Sequence, residues 1–498
     1  MECYCEASWA EGRVTYQDFF HFHFLTIQNE TMDSHPQSLL PGATQKLAEF
    51  AAGIEYTAIP AEVIDRMKTS FLDSVGCCLF GATLPWTQRV QAMIEAEEAR
   101  PVASIFGTGK KTSVAGAVLV NATAGHAFEL DDIHKESIVH AGSIATPVVV
   151  ALAEQAAGAS GKTLLTAMTT GYEIGTRVGN AATMGLFFRG FHPQGTSGAF
   201  VAAASAAKML KLNAPRMQHA LGIVGSQAGG LMAAQEGAMV KRFHSGRAAQ
   251  SGVYSAYLAQ RDFTGISDVL EAGYGGYLSS YSDKPNASRL TEDLGVVWET
   301  GKVGYKPHAC VTSIHSALDA FAYLLNSHQL TPDDLSKVEI GMSPMTYTHC
   351  AWEYKAQGVT AAQMNLFYGI AVIGFDGKAF VAQYAEDRLA DPKIMDFITR
   401  IEASIDRDIE AMGAAYRHAA RVKVTTRDGR TFKHEILNRR GSPENPLSHE
   451  DVVYKFRNVV ESCLSAKNID RTIALIAQLD RLDDTSELFN LLAAARNA

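Results

Sequence analysis

None of the seven cysteines in the 498-residue chain (Cys3, Cys5, Cys77, Cys78, Cys310, Cys350 and Cys463) forms a CxxC pair. An odd, scattered set of this kind excludes a disulfide scaffold and a zinc ribbon, and it points to a reducing compartment. The sequence also lacks HExxH and GxSxG motifs and a dinucleotide fingerprint. Gly107-Thr108-Gly109-Lys110 has no upstream phosphate-loop glycine, and Gly273-Tyr274-Gly275-Gly276 does not follow a strand. Zinc-peptidase, serine-hydrolase, nucleotide and flavin chemistry are therefore set aside. No run of 18 apolar residues occurs, so no membrane partner is expected. Positive charge is in deficit: 44 Lys and Arg face 53 Asp and Glu, for a net charge of -9, with no basic tail. Nucleic acid is thereby excluded as a partner, and an acidic substrate needs a local basic pocket. Residues 1–41 carry Glu2, Glu6, Glu11, Asp18, Glu30 and Asp33 against Arg13, the wrong charge for a mitochondrial leader. This stretch reads as a poorly ordered extension, and the expected location is cytoplasmic.

With 47% hydrophobic and 19% charged residues, the chain can bury a large core. Ala- and Gly-rich helical periodicity runs from residue 42 to 303, with almost no β-branched alternation. Pro60 starts one helix, and Lys162, Leu165, Met168, Tyr172 and Gly175 keep one face of another. Residues 304–450 change texture: Lys337 to Gly341 alternates as a strand, and Val422 to Ile436 reads as a hairpin around Asp428-Gly429. Ser448-His449-Glu450-Asp451 opens a last helical stretch, so that 451–498 is expected to rejoin the helical part. The fold class is thus mainly α, a large helical domain with a smaller α+β lid.

Three histidine-bearing loops sit beside Gly or Pro at helix boundaries. The first, from Glu129 through Asp131, Asp132 and His134 to His140, packs carboxylates against two imidazoles. Such a cluster can hold the different protonation states that proton transfer beside a carboxylate requires, although a solvated charged loop or a cation site on Asp131, Asp132 and His134 fits the same spacing. The second, Gly190-Phe191-His192-Pro193, precedes an Ala-rich helix whose first N–H groups suit a substrate carboxylate. The third, Lys241-Arg242-Phe243-His244, places basic groups amid small apolar residues, where a polyanion or a structural ion pair supplies counter-charge. Lys306, in Tyr305-Lys306-Pro307-His308-Ala309-Cys310, lies where the composition changes, a usual place for a cleft; Cys310 as a nucleophile has no local signature.

Together with Gln227 to Arg242, Tyr274-Gly275-Gly276 and His315, these loops resemble the MmgE/PrpD family, which includes 2-methylcitrate dehydratases and cis-aconitate decarboxylases. The resemblance spans about Leu47 to Leu488, and Glu129-Leu130-Asp131-Asp132 with His349-Cys350-Ala351-Trp352 are most like the fungal members. It implies a homodimer with an active site between helical domain and lid, a tricarboxylate substrate, and neither metal nor organic cofactor. Carried over by position, His140, His192 and Lys241 match active-site positions of the family, and Glu129 and Asp131 fall in its acidic motif. Asp131, His140, His192 and Lys241 are the expected catalytic residues, and the basic clusters themselves suggest that Arg242, His244 and Lys306, with Glu129, bind substrate. Val311 stands where animal members place a histidine, so a mechanism that needs that histidine does not transfer. Dehydration of a 2-alkylcitrate is expected first, because Met184, Leu186, Phe187 and Phe188 offer a place for an alkyl tail. Decarboxylation of cis-aconitate or an alkylated analogue is the alternative, and a non-catalytic binding protein on the same fold is the remote one.

Overall fold

The computed structural model describes residues 37–495, so residues 1–36 of the extension expected over 1–41 lie outside the described residues. Nine helices and eight strands suffice to locate the site. The first is α1, Ala61–Gly81, entered through Pro60 as the sequence predicts. A two-stranded hairpin follows, β1 (Ala103–Ile105) with β2 (Lys110–Thr112), in a region the periodicity reads as helical. Gly107 and Gly109, both in the left-handed region, turn the chain there within too few residues to leave a strand pattern.

The helical body continues with α2 (Val114–Gly125), α3 (Gly142–Gln155), α4 (Gly161–Phe188), α5 (Gly198–Met209) and α6 (Val240–Gln260). Helix α6 packs against both α2 and α5, and small residues set how closely. A Cβ on Gly246 would stand 2.4 Å from the Leu119 carbonyl oxygen, and one on Gly252 would stand 2.5 Å from the Ala203 nitrogen. Any larger residue would push α6 outward and carry its first turn away from the end of α2.

Strand β3 (Ile133–His134) pairs antiparallel with β4 (Val303–Gly304). This short ladder pins the acidic loop to the segment holding Lys306. Beyond it, α7 (His315–His328) lies across a four-stranded sheet of β5 (Leu335–Met342), β6 (Ile401–Ile405), β7 (Ala420–Thr426) and β8 (Thr431–Ile436). The order is β6-β5-β7-β8, with β5–β6 parallel and the other pairs antiparallel. Residues of β7 alternate buried and half-buried, as a sheet covered on one face requires. Helix α8 (Leu366–Asp376) packs on α7. The last element used here, α9 (His449–Val460), opens with the capping box expected at Ser448 and packs on α1, where Lys455 Nζ lies 2.6 Å from the buried Asp73 carboxylate. The fold is mainly helical with a smaller α+β region. Among the described residues, no helix is long and apolar enough to cross a membrane.

Candidate active site

Helix α2 ends at Gly125, and His126 caps it as the chain turns into the acidic loop. Glu129 follows with φ of 54°, an uncommon conformation for a residue with a side chain. Its buried carboxylate gathers three cations. Lys241 pairs with Oε1, Arg242 Nη1 lies 2.5 Å from the same oxygen, and Lys306 Nζ lies 3.0 Å from Oε2. Burial opposes ionisation of Glu129, but Lys241, Lys306 and Arg242 outweigh it and hold the carboxyl well below its ordinary range. Burial also draws Lys241 down to about 8, assisted by Arg242 and Lys306 and resisted by Glu129.

Two residues on, Asp131 takes a different set of partners. Its Oδ2 lies 2.7 Å from His126 Nδ1, and its Oδ1 lies 3.3 Å from His140 Nδ1, close enough for an ion pair but outside hydrogen-bond geometry. Burial works against its charge, and His140 and His126 more than offset that, keeping Asp131 ionised. His126 itself is pushed down to about 3, chiefly by burial, and so is neutral near pH 7. The backbone of His140 is fixed by the buried Gln194, whose Oε1 accepts from the His140 N–H at 2.9 Å and whose Nε2 donates to the His140 carbonyl at 3.1 Å. Gln194 thereby ties the acidic loop to the His192 loop.

Burial pushes His192 well below its ordinary range, with Lys241, His126 and His244 adding to the effect. Its Nδ1 lies 2.9 Å from His244 Nδ1, and burial lowers His244 to about 4. Both rings are neutral near pH 7, so one donates a hydrogen bond to the other.

Glu129, His140, His192, Lys241 and Lys306 all line one cavity. The opposite wall is apolar and includes Ile138, Phe187, Met232, Val311, Met345 and Met364. Three lining residues, His349, Arg417 and His418, come from segments where the sequence showed only a family likeness or strand alternation. Burial pulls His349 down to about 4, and its Nε2 lies 2.8 Å from Gln235 Oε1. His126 was also missed, although an imidazole five residues before Asp131 and another nine residues after it could have signalled a shared carboxylate.

Several expectations need correction. Arg242 does not line the cavity: besides Glu129, it is held by Gln363 Oε1 at 3.0 Å and Thr360 Oγ1 at 3.4 Å, so it supports the cluster from behind. His244 acts through His192 instead of facing the cavity. A cation site on Asp131, Asp132 and His134 does not form, because the loop sends the three side chains apart. Asp132 accepts from Tyr172 Oη at 2.6 Å and from the Gly142 N–H at 3.0 Å, and burial lifts it to about 8. His134 pairs with Glu299 at 3.1 Å. His126, Asp131 and His140 do bring ligand atoms within 4.8 Å of one another. Asp131 is already engaged by His126, however, and Lys306 Nζ stands 4.0 Å from its other oxygen, a neighbour unfavourable to a further cation.

The first N–H groups of α5 are spent on the preceding turn, with Gly198, Ala199 and Phe200 donating to the carbonyls of Pro193, Thr196 and Ser197, which removes the anion site expected there. Cys310 is buried and its thiol pushed up to about 12, the opposite of an activated nucleophile. Of the four apolar residues at the end of α4, Phe187 reaches the cavity, Leu186 is core and Phe188 is exposed.

Residues 45–289 match the MmgE/PrpD N-terminal domain and residues 308–481 match the MmgE/PrpD C-terminal domain. A cis-aconitate decarboxylase of Aspergillus terreus is 30% identical over 94% of this chain and 98% of its own length. The cis-aconitate decarboxylase-like protein oryM of Aspergillus oryzae is 29% identical over 93% of this chain and 98% of its own length, and the human cis-aconitate decarboxylase is 26% identical over 91% and 95%. With both domains matched and full-length relatives at this identity, the chain belongs to the MmgE/PrpD family of lyases.

Proposed function

We propose that the chain is a carboxy-lyase acting on cis-aconitate or a close alkylated analogue. One observation carries this reading: two carboxylates two residues apart, one loaded with cations and the other with imidazoles, serve a single buried cavity. Three cations on Glu129 leave the cluster positive, and it needs an anionic partner. The names of the relatives support decarboxylation over the dehydration that the sequence suggested first.

Loss of carbon dioxide from the methylene carboxylate of cis-aconitate breaks one C–C bond, whose electron pair becomes a new terminal double bond. The electrons of the old double bond move toward the carboxylate on the vinylic carbon, which takes on enediolate character. Lys241 and Lys306 meet that charge as it develops, in a cavity where water does not screen it. One proton must then reach the vinylic carbon. His140, which lines the cavity and whose Nδ1 lies 3.3 Å from Asp131, is the donor. His192, whose Nδ1 is engaged by His244, offers Nε2 to a substrate carboxylate. The products are carbon dioxide and a methylene dicarboxylate, with one proton consumed. Dehydration of an alkylcitrate is a second reading, favoured by the apolar wall of Phe187, Met232, Val311, Met345 and Met364.

Incubation of the purified protein with cis-aconitate and, separately, 2-methylcitrate, followed by mass spectrometry, tests the two. Loss of carbon dioxide from cis-aconitate, abolished by Lys241→Ala, is the expected result. Loss of water from 2-methylcitrate alone would replace this reading with the second, and no turnover of either by folded protein would overturn both.

A further inference from the structure

A second, larger cavity lies directly outside the first. Its volume is about 390 Å³, and the two share Lys135 and Arg417 in their walls. Five cations line the outer cavity, Lys135, Lys284, Arg289, Lys302 and Arg417, against two lining carboxylates, Glu136 and Glu444. Three of the five are neutralised locally: Arg289 pairs with Glu136 at 2.6 Å, Lys302 with Glu299 at 3.0 Å, and Lys135 with Glu444 at 3.3 Å. Arg417 and Lys284 have no carboxylate partner among the described residues.

Arg417 is buried, and its guanidinium donates only to the backbone carbonyls of Lys135 and Ala414, with Nε unpartnered. Arg439 is 2% exposed, and none of its three guanidinium nitrogens has a hydrogen-bond partner among the described residues. Arg439 lines neither cavity; Glu444 and Asp319 favour its charge and Arg417 opposes it. Arg417 lines both cavities without a paired carboxylate, and an anion bound against it supplies what the protein does not. The chain as a whole carries a net charge of -9, which repels a polyanion everywhere except at a patch of this kind.

We propose that the outer cavity is a second binding site for a polycarboxylate anion, built on Arg417, Lys135 and Lys284, through which such an anion is concentrated beside the inner cavity. The choice of a polycarboxylate rests on the function proposed above; the site's preference for an anion does not. Bound there, a tricarboxylate meets the guanidinium of Arg417 on the wall common to both cavities.

Isothermal titration of the full chain with tricarballylate provides the test, because this saturated tricarboxylate has neither a double bond nor a hydroxyl to react. Two equivalents are expected for the wild type. The Lys284→Glu/Lys302→Glu double variant, changed on the outer side alone, should lose the second equivalent or bind it at least tenfold more weakly while retaining the first. Arg417→Gln should also weaken the second equivalent. A single equivalent in the wild type, or a second one indifferent to the double variant, overturns the proposal. Turnover of cis-aconitate with one equivalent bound would sink the outer site and leave the activity standing, whereas two equivalents without turnover would sink the activity and leave the outer site standing.

Discussion

Glu129 and Asp131 are neighbours on one loop, are equally buried, and carry the same functional group, yet the fold treats them in opposite ways. Glu129 holds Lys241, Arg242 and Lys306. Asp131 holds His126 and His140. A carboxylate whose partners are ammonium and guanidinium groups is chiefly an anchor, since removing it leaves cations buried without compensation. One that carries imidazoles has partners able to lose their charge, so its removal alters proton chemistry more than it alters stability.

The largest expected effect breaks this contrast at the imidazole arm. Asp131→Asn should lower kcat by about 10²- to 10⁴-fold, the range for loss of a positioned proton-transfer system, with only a modest change in the denaturant midpoint. Glu129→Gln should behave the other way, with destabilisation of about 3–5 kcal/mol in urea unfolding as three buried cations lose their counter-charge. Equal stability losses in the two variants would show that the arms are not functionally distinct.

A pH profile sharpens the comparison. Lys241 is drawn down to about 8, so its ammonium is present below that pH and lost as pH rises through it. The kcat/KM should therefore fall on the alkaline side of about 8. Because Glu129 raises the Lys241 value, the fall should move to lower pH in Glu129→Gln, whereas Asp131→Asn should leave it in place.

The smallest effect concerns the apolar residues that line the cavity with Glu129 and His140. Phe187→Ala should shift the ratio of kcat/KM for an alkylated substrate over cis-aconitate by about tenfold, the usual worth of a small change in pocket volume. Competition between the two substrates in one reaction would measure it, and an unchanged ratio would mean that the alkyl group does not meet this wall.

The residues gathered at the candidate site, Glu129, Asp131, His140, His192, Lys241 and Lys306, were legible because each sits in a loop or first helical turn where charge interrupts an apolar pattern. His126 was not, since one imidazole at the end of an Ala-rich helix has no periodic or motif signal. Arg417 and His418 were hidden for a related reason: they lie just before β7, where the alternation of the strand dominates the local pattern. Arg242 and His244 share the basic chemistry of Lys241, but Arg242 is turned from it by about 100° along the helix, and His244, on nearly the same face, meets His192, which lines the cavity in its place.

The sequence by itself determined the helical majority, the smaller α+β region, the hairpin around Gly429 and the identity of most charged groups at the site. These follow from local periodicity, turn chemistry and residue type, which act over a few residues. Only the tertiary structure decided which cation meets which carboxylate, that Asp132 and His134 leave the site, and that Arg417 stands between two cavities. Those outcomes depend on contacts between residues more than a hundred positions apart, such as Glu129 with Lys241 and Lys306, and are set by how closely α6 approaches α2 and by the pairing of β3 with β4.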